Sequence, residues 1–127
     1  MTNENIFELI ESHKDEMSAT LCYMEDHAAT GYEEWEAHEY LVEAYEKLGY
    51  ILTKAENIPG FYTDVETGRP GPKVLIFSEL DGLRIPDHPH ANPKNGAAHA
   101  CGHHAQCAAL LGVAAALKVP EDRKSVV

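Results

Sequence analysis

No stretch of this sequence is apolar enough to cross a membrane, and its first residues do not form an export signal. Its apolar runs fall well short of the roughly 18 residues that a membrane span needs. The opening MTNENIFELIESHKDE has neither a basic start nor the apolar stretch that export signals carry. The sequence therefore predicts a cytoplasmic protein with no membrane partner.

Cysteine is scarce as well. The chain has three cysteines, Cys22, Cys101 and Cys107, and an odd number cannot be fully paired within one chain. In the cytoplasm such thiols stay reduced. Cysteines that stand beside histidines in that compartment favour metal binding or catalysis over disulfide bonds.

Positive charge is nearly absent from the first third of the chain. Residues 1–46 hold 13 acidic residues and one lysine, whereas the rest is close to neutral, and the net charge of the whole chain is −11. This distribution argues against nucleic acid and anionic membrane surfaces as partners. The acidic third is typical of a solvated helical face.

The pattern of apolar residues predicts an α/β fold in a single domain of 127 residues. Apolar residues at spacings of three and four predict helices over 3–28, 33–48 and 104–117. Short β-rich runs predict strands near 50–55, 60–66 and 73–78. Residues 83–99 lie between the last strand and the last helix, and they read as a long irregular loop.

The third predicted strand leads to the first candidate site. Its run Val74–Phe77 is apolar without alternation, as in a strand that helices cover on both faces. Glu79 and Asp81 follow at its carboxyl end, where α/β sheets gather their ligands. A carboxylate there can bind a cation or orient a histidine ligand. The alternative is that both acids are ordinary turn residues.

The second candidate site is the segment HACGHHAQC, residues 99–107. If the backbone is extended there, Cys101 and His103 point the same way and can bind one ion, because residues two apart share a face. Thiolate and imidazole are natural ligands of zinc and similar divalent ions. His104 reads more readily as a surface or cap residue, and Cys107 as a buried packing residue.

Two ligands do not complete a metal site, because even a catalytic zinc takes three protein ligands. The remaining ligands have to come from Glu79, Asp81 or His99, or from residues outside this chain.

Three segments together resemble the opening of the co-catalytic metal amidohydrolases. They are ATGYEEWEAHEYLVEAYEKLGY, KVLIFSELDGLRIP and HACGHHAQCAALLGVAAAL. This peptidase family includes hippurate hydrolase, indole-acetyl-amino-acid hydrolase, aminobenzoyl-glutamate hydrolase and aminoacylase. The resemblance runs from about residue 5 to residue 118, with the helix, strand and acidic loop in the same order.

The resemblance implies a zinc-peptidase-like catalytic domain, an α/β/α sandwich of three layers, of which residues 1–127 are the N-terminal part. Two divalent ions (zinc, manganese, cobalt or nickel) would serve hydrolysis of the amide bond in N-acyl-amino acids. Cys101 and His103 match the first two metal ligands, and Asp81 matches the acid that orients a ligand. Glu79 occupies the position of a histidine ligand in some relatives, while His99 and His104 are further candidates.

The same resemblance leaves much of the enzyme unaccounted for. The glutamate pair that supplies the general base has no counterpart in this chain, nor has the lid domain that mediates dimers. We therefore expect the chain alone to be inactive, and to form homo-oligomers through exposed apolar surface.

Two other functions are open from the residues alone. One is a small metal-binding module without catalysis, which would use Cys101, His103, His104 and a fourth group. The other is a thiol hydrolase with Cys101 as nucleophile and His103 or His99 as base.

Overall fold

Four helices form the larger part of the structure, a computed structural model that describes residues 3–118. They are α1 (Asn3–Glu11), α2 (Lys14–Asp26), α3 (Trp35–Lys47) and α4 (His103–Leu117). The helices predicted over 33–48 and 104–117 are confirmed within two residues at each end. Among the described residues, no helix combines the length and the apolarity that crossing a bilayer requires.

The prediction of one continuous helix over 3–28 was wrong, because the chain breaks between α1 and α2. The hydroxyl of Ser12 donates to the carbonyl of Leu9 at 2.6 Å. The amide of His13 bonds to the carbonyl of Ile10, three residues earlier instead of four. A local side-chain bond of this kind competes with the helical ladder. The helix tightens, ends, and starts again as α2 at Lys14.

Four very short strands form two separate antiparallel pairs. In the first pair, β1 (Thr53–Lys54) aligns Thr53 with Tyr62 of β2 (Phe61–Tyr62). Both strands lie within the predicted ranges 50–55 and 60–66. In the second pair, β3 (Leu83–Arg84) and β4 (Ala97–Ala98) join the two ends of the segment predicted as an irregular loop.

The strand predicted over 73–78 is not present. This segment pairs with no strand among the described residues. Its apolar run is exposed, with Val74 at 77% and Phe77 at 71% of full accessibility. A strand that is apolar on both faces needs neighbours and two covering layers, and residues 3–118 supply neither. The structure is thus a mixture of helices with small sheets, and it does not confirm the three-layer sandwich.

The apolar core lies between the helices and fixes the position of α4. It contains Met24, Leu41, Tyr45, Cys107 and Leu111. Helix α4 packs against α1 and α2. At Gly112 the approach is so close that an added Cβ would lie 2.6 Å from Sδ of Met17.

A second set of contacts fixes the segment that carries Asp81. The side-chain amides of Asn92 and Asn95 both donate to the carbonyl of Ala28, each at 3.0 Å. The carbonyl of the next residue, Ala29, accepts a hydrogen bond from the amide of Gly82 at 2.7 Å. The connection between α2 and α3 is therefore tied to the chain on both sides of β3.

Candidate functional site

The imidazole of His103 lies between two carboxylates. Its Nδ1 is 2.9 Å from both the carbonyl oxygen and Oδ1 of Asp81. Its Nε2 is 3.0 Å from Oε2 of Glu79. Both ring nitrogens thus face acceptors, an arrangement that suits either an imidazolium or a neutral ring with a cation at Nε2.

The surroundings of His103 act on its pKa in opposite directions. Partial burial lowers the pKa, whereas the hydrogen bonds from the carbonyl and carboxylate of Asp81, together with the charges of Asp81 and Glu79, raise it. The carboxylates outweigh the burial, and the pKa of His103 lies above its ordinary value.

Helix α4 positions His103 because that residue is its first. Gly102 precedes it with φ of +88°, a left-handed conformation that glycine adopts without strain. The turn aims the side chain at residues 79–81 while α4 continues into the core. The two acids lie beside the N-terminal end of the helix, where its dipole favours negative charge.

Two residues of α4 that were not expected to take part hold the backbone at Glu79. Oε1 of Gln106 accepts a hydrogen bond from the backbone amide of Glu79 at 3.4 Å. The thiol of Cys107 donates to the carbonyl of Glu79 at 3.1 Å and lies 3.4 Å from the hydroxyl of Ser78. Cys107 is buried, as expected, and burial raises the pKa of its thiol, so it acts as a structural residue. Gln106 gave no signal in the sequence.

His99 and His104 form a stacked pair beside this cluster. Their ring centroids are 4.9 Å apart and the rings are inclined by 21°. Neither nitrogen of His99 nor Nδ1 of His104 has a hydrogen-bond partner among the described residues. Burial, reinforced by the charges of His104 and His103, lowers the pKa of His99 to about 4. Its ring is therefore neutral near pH 7.

Glu34 is a further carboxyl group that sequence reasoning missed. It is only 7% exposed, and its Oε1 accepts the amide of Tyr32 at 2.8 Å. Burial and the charge of Asp81 raise the pKa of Glu34 above its ordinary value. The sequence did not single out Glu34, because it stands among the acidic residues that were interpreted as a solvated helical face.

The expected pairing of Cys101 with His103 at one ion stays a prediction. Cys101 is exposed, and in the part of the chain that the structure describes no group of three or more His, Cys, Asp or Glu side chains could hold a metal. The structure does bring His103, Asp81 and Glu79 together. Those three were named from two separate stretches of sequence.

Comparison with known proteins gives relatives that share one kind of activity. No protein-family model matches the chain. It is 34% identical over 89 residues to YhaA, a candidate amidohydrolase of Bacillus subtilis, covering 68% of this chain and 22% of that protein. It is 30% identical over 93 residues to the N-acetyl-L-cysteine deacetylase of the same organism, covering 71% and 22%. The N-acyl-L-amino acid amidohydrolase of Geobacillus stearothermophilus is 26% identical over 117 residues, covering 90% and 32%.

A solved structure agrees with these relatives. A candidate aminohydrolase from methicillin-resistant Staphylococcus aureus superposes with a TM-score of 0.80 at 26% identity. The match covers 95% of this chain and 33% of the other. The chain thus spans between a fifth and a third of the length of the proteins that it matches.

Proposed function

We propose, on the premise that this chain is homologous to part of the amidohydrolases, that it forms the N-terminal part of the catalytic domain of a metal-dependent enzyme. The reaction would be hydrolysis of the amide bond in N-acyl-amino acids. The observation that carries the proposal is the placement of His103 between Asp81 and Glu79 at the start of α4. Residues 1–127 would form one wall of the site.

The names of the relatives support this substrate class. Two of them are named for N-acylated amino acids, as an N-acetyl-L-cysteine deacetylase and an N-acyl-L-amino acid amidohydrolase. A third, from Arabidopsis thaliana, is named as an IAA-amino acid hydrolase. Each name describes an acyl group released from an amino acid.

The chemistry of the donors at His103 fits part of a metal site. With the Nδ1 of His103 held by Asp81, its Nε2 and Oε2 of Glu79 are 3.0 Å apart. Two ligands at about 2.1 Å from one zinc ion would stand at roughly this separation or slightly more. An imidazole fixed by a carboxylate on its other nitrogen is the usual arrangement of a metal-binding histidine.

We therefore assign His103 as a ligand, Asp81 as the residue that orients it, and Cys101 as a second ligand. Glu79 is a further candidate, and the remaining ligands of a two-ion site would lie outside the described residues. Bound divalent ions would supply a polarised amide carbonyl and a water of lowered pKa. What this chain contributes is the fixed tautomer of His103 and the negative charge that favours a cation beside it.

The proposal extends to the compartment, the activity and the self-association of this chain. Its three cysteines are free thiols, which suits the cytoplasm. With no counterpart of the family's general base, the chain alone should hydrolyse little or nothing, because loss of such a base alone lowers rates by about 10²–10⁴-fold. The exposed run Val74–Phe77 would drive association between copies.

The two alternative functions are less well supported. Homology to amidohydrolases favours part of an enzyme over a metal-binding module without catalysis. A thiol hydrolase needs a base within hydrogen-bond reach of the nucleophile. Cys101 is exposed, and in residues 3–118 its sulfur makes no hydrogen bond to an imidazole.

Hydrolysis assays test the proposal. The purified chain is incubated with N-acetyl- and N-benzoyl-amino acids in the presence of added manganese or zinc, and released amino acid is measured. No turnover above a metal-only blank is expected. Turnover by this chain alone would contradict the assignment of an incomplete site.

A further inference from the structure

A cavity lies beside the end of the β3–β4 pair and takes no part in the cluster at His103. Its volume is about 510 Å³, and Arg84, His88 and Lys94 line it together with Asn92 and Asn95. Within residues 3–118, no aspartate or glutamate lines it. Since Arg84 follows Asp81 by three residues, the cavity begins about 10 Å along an extended chain from Asp81.

The cations of this cavity differ from the lysines elsewhere in residues 3–118. Four lysines elsewhere pair with carboxylates: Lys14 with Glu11, Lys47 with Glu43, Lys54 with Glu46, and Lys73 with Asp64. The ammonium of Lys118 lies 4.5 Å from the ring centroid of Tyr50. Arg84 and Lys94 have no ion-pair partner among residues 3–118. In a chain of net charge −11, these two cations give the lining of this cavity a positive charge.

The wall of the cavity is held in place by hydrogen bonds of two asparagine side chains. Asn92 donates to the carbonyl of Ala28 and accepts the amide of Lys94 at 3.0 Å. Asn95 donates to the same carbonyl and accepts the amide of Ala97 at 2.9 Å. Both asparagine side chains therefore hold the conformation of the loop, whereas Arg84 and Lys94 remain available to bind a ligand.

His88 adds a donor of defined tautomer. Its Nδ1 accepts the amide of His90 at 3.1 Å. A neutral imidazole that accepts at Nδ1 carries its proton at Nε2. The lining therefore contains a guanidinium, an ammonium and an imidazole N–H.

We propose that this cavity, the Arg84 cavity, binds the carboxylate or phosphate group of a small organic anion. Guanidinium offers a planar fork of donors that matches either oxyanion, and lysine adds a point charge. The volume exceeds that of a bare phosphate ion and falls within the range of small-molecule sites, about 300–1,000 Å³. The site is separate from the His103 cluster and does not depend on its metal.

Nuclear magnetic resonance titration of the full chain tests the proposal at constant ionic strength. The probes are inorganic phosphate, N-acetylalanine and its uncharged amide. We expect saturable shifts of the backbone amides of residues 84 and 94–96 with phosphate or N-acetylalanine, and none with the amide. A tenfold preference for one of the two anions identifies which oxyanion the cavity takes, and either preference supports it.

Two variants and a control make the result specific. Arg84→Gln and Lys94→Gln should each weaken binding at least fivefold, whereas Lys47→Gln, an exposed lysine paired on α3, should leave it unchanged. A dispersed spectrum shows that each variant is folded. Unsaturable shifts at every lysine and arginine, retained affinity in both cavity variants, or equal binding of the uncharged amide would overturn the proposal.

Discussion

The imidazole of His103 and the carboxylate of Asp81, 22 residues apart in sequence, meet at 2.9 Å through Nδ1. This contact joins the start of α4 to the segment before β3. It also leaves Nε2 facing Glu79 at 3.0 Å. The orientation of the ring is therefore fixed by protein groups before any ion is present.

Removing the charge of Asp81 should lower the pKa of His103. Burial already lowers that pKa, and the bonds and charge of Asp81, together with the charge of Glu79, raise it above the ordinary value. In Asp81→Asn we expect the pKa of His103, measured by NMR of its ring nitrogens in the presence of chelator, to fall. Asp87→Asn, an exposed acid in the same region, is the matched control. An unchanged pKa in Asp81→Asn would mean that the contact has no electrostatic role.

The stability of the fold should fall in mild acid because of His99. The pKa of His99 is lowered from 6.5 to about 4 in the folded chain. Between these pH values the unfolded chain binds a proton at His99 and the folded chain does not. The contribution of a neutral His99 is fully present above about pH 6.5 and is lost as the pH falls toward 4.

Urea unfolding at pH 7.5 and pH 4.5 measures this effect. The wild-type chain should lose roughly 2–3 kcal/mol more than His99→Gln between the two pH values. His90→Gln removes an exposed histidine and should behave as the wild type does. Parallel losses in all three proteins would show that His99 titrates normally.

Gly82 should not tolerate a side chain. A Cβ there would lie 2.9 Å from the backbone oxygen of Ala98, and the amide of Gly82 is tied to Ala29 at 2.7 Å. Gly82→Ala should destabilise the chain by about 1–3 kcal/mol, as overpacking does. At Gly31 the nearest atom to an added Cβ is 3.7 Å away, so Gly31→Ala should be close to neutral. Equal stability of the two variants in urea would contradict the predicted clash between a Cβ at position 82 and the backbone oxygen of Ala98.

The run Val74–Phe77 should cause the chain to self-associate. Its side chains are exposed and no strand pairs with them among the described residues. Sedimentation velocity at micromolar concentration should show dimers or larger species, and Ile76→Glu should shift them toward monomer. Val65→Glu changes an exposed apolar residue outside the run and should have little effect. A clean wild-type monomer would refute the prediction.

The sequence predicted the helices better than the strands, for physical reasons. Helices α3 and α4 follow from local apolar spacing, which needs no distant partner. The segment 73–78 has the composition of a buried strand, but a strand forms only where neighbours supply its hydrogen bonds. The break at Ser12 depends on one hydroxyl bond that apolar spacing does not show.

The site was predicted in its residue types but not in its arrangement. Asp81 and Glu79 were named because strand ends gather ligands, and His103 because it stands two residues from Cys101. The structure brings His103, Asp81 and Glu79 together. Glu34 and Gln106 were missed because neither residue type at its position indicated a role, and only tertiary packing brings them to Asp81 and Glu79.

The most direct test of a metal site at His103 and Cys101 is the rate of alkylation of Cys101 by iodoacetamide, with zinc and with chelator. The chain carries its own controls, because Cys22 is also exposed while Cys107 is buried. Zinc should slow alkylation of Cys101 at least tenfold, leave Cys22 unaffected, and lose its effect in His103→Ala. Equal zinc protection of Cys22 and Cys101, or none at Cys101, would contradict the assignment of these two residues as metal ligands.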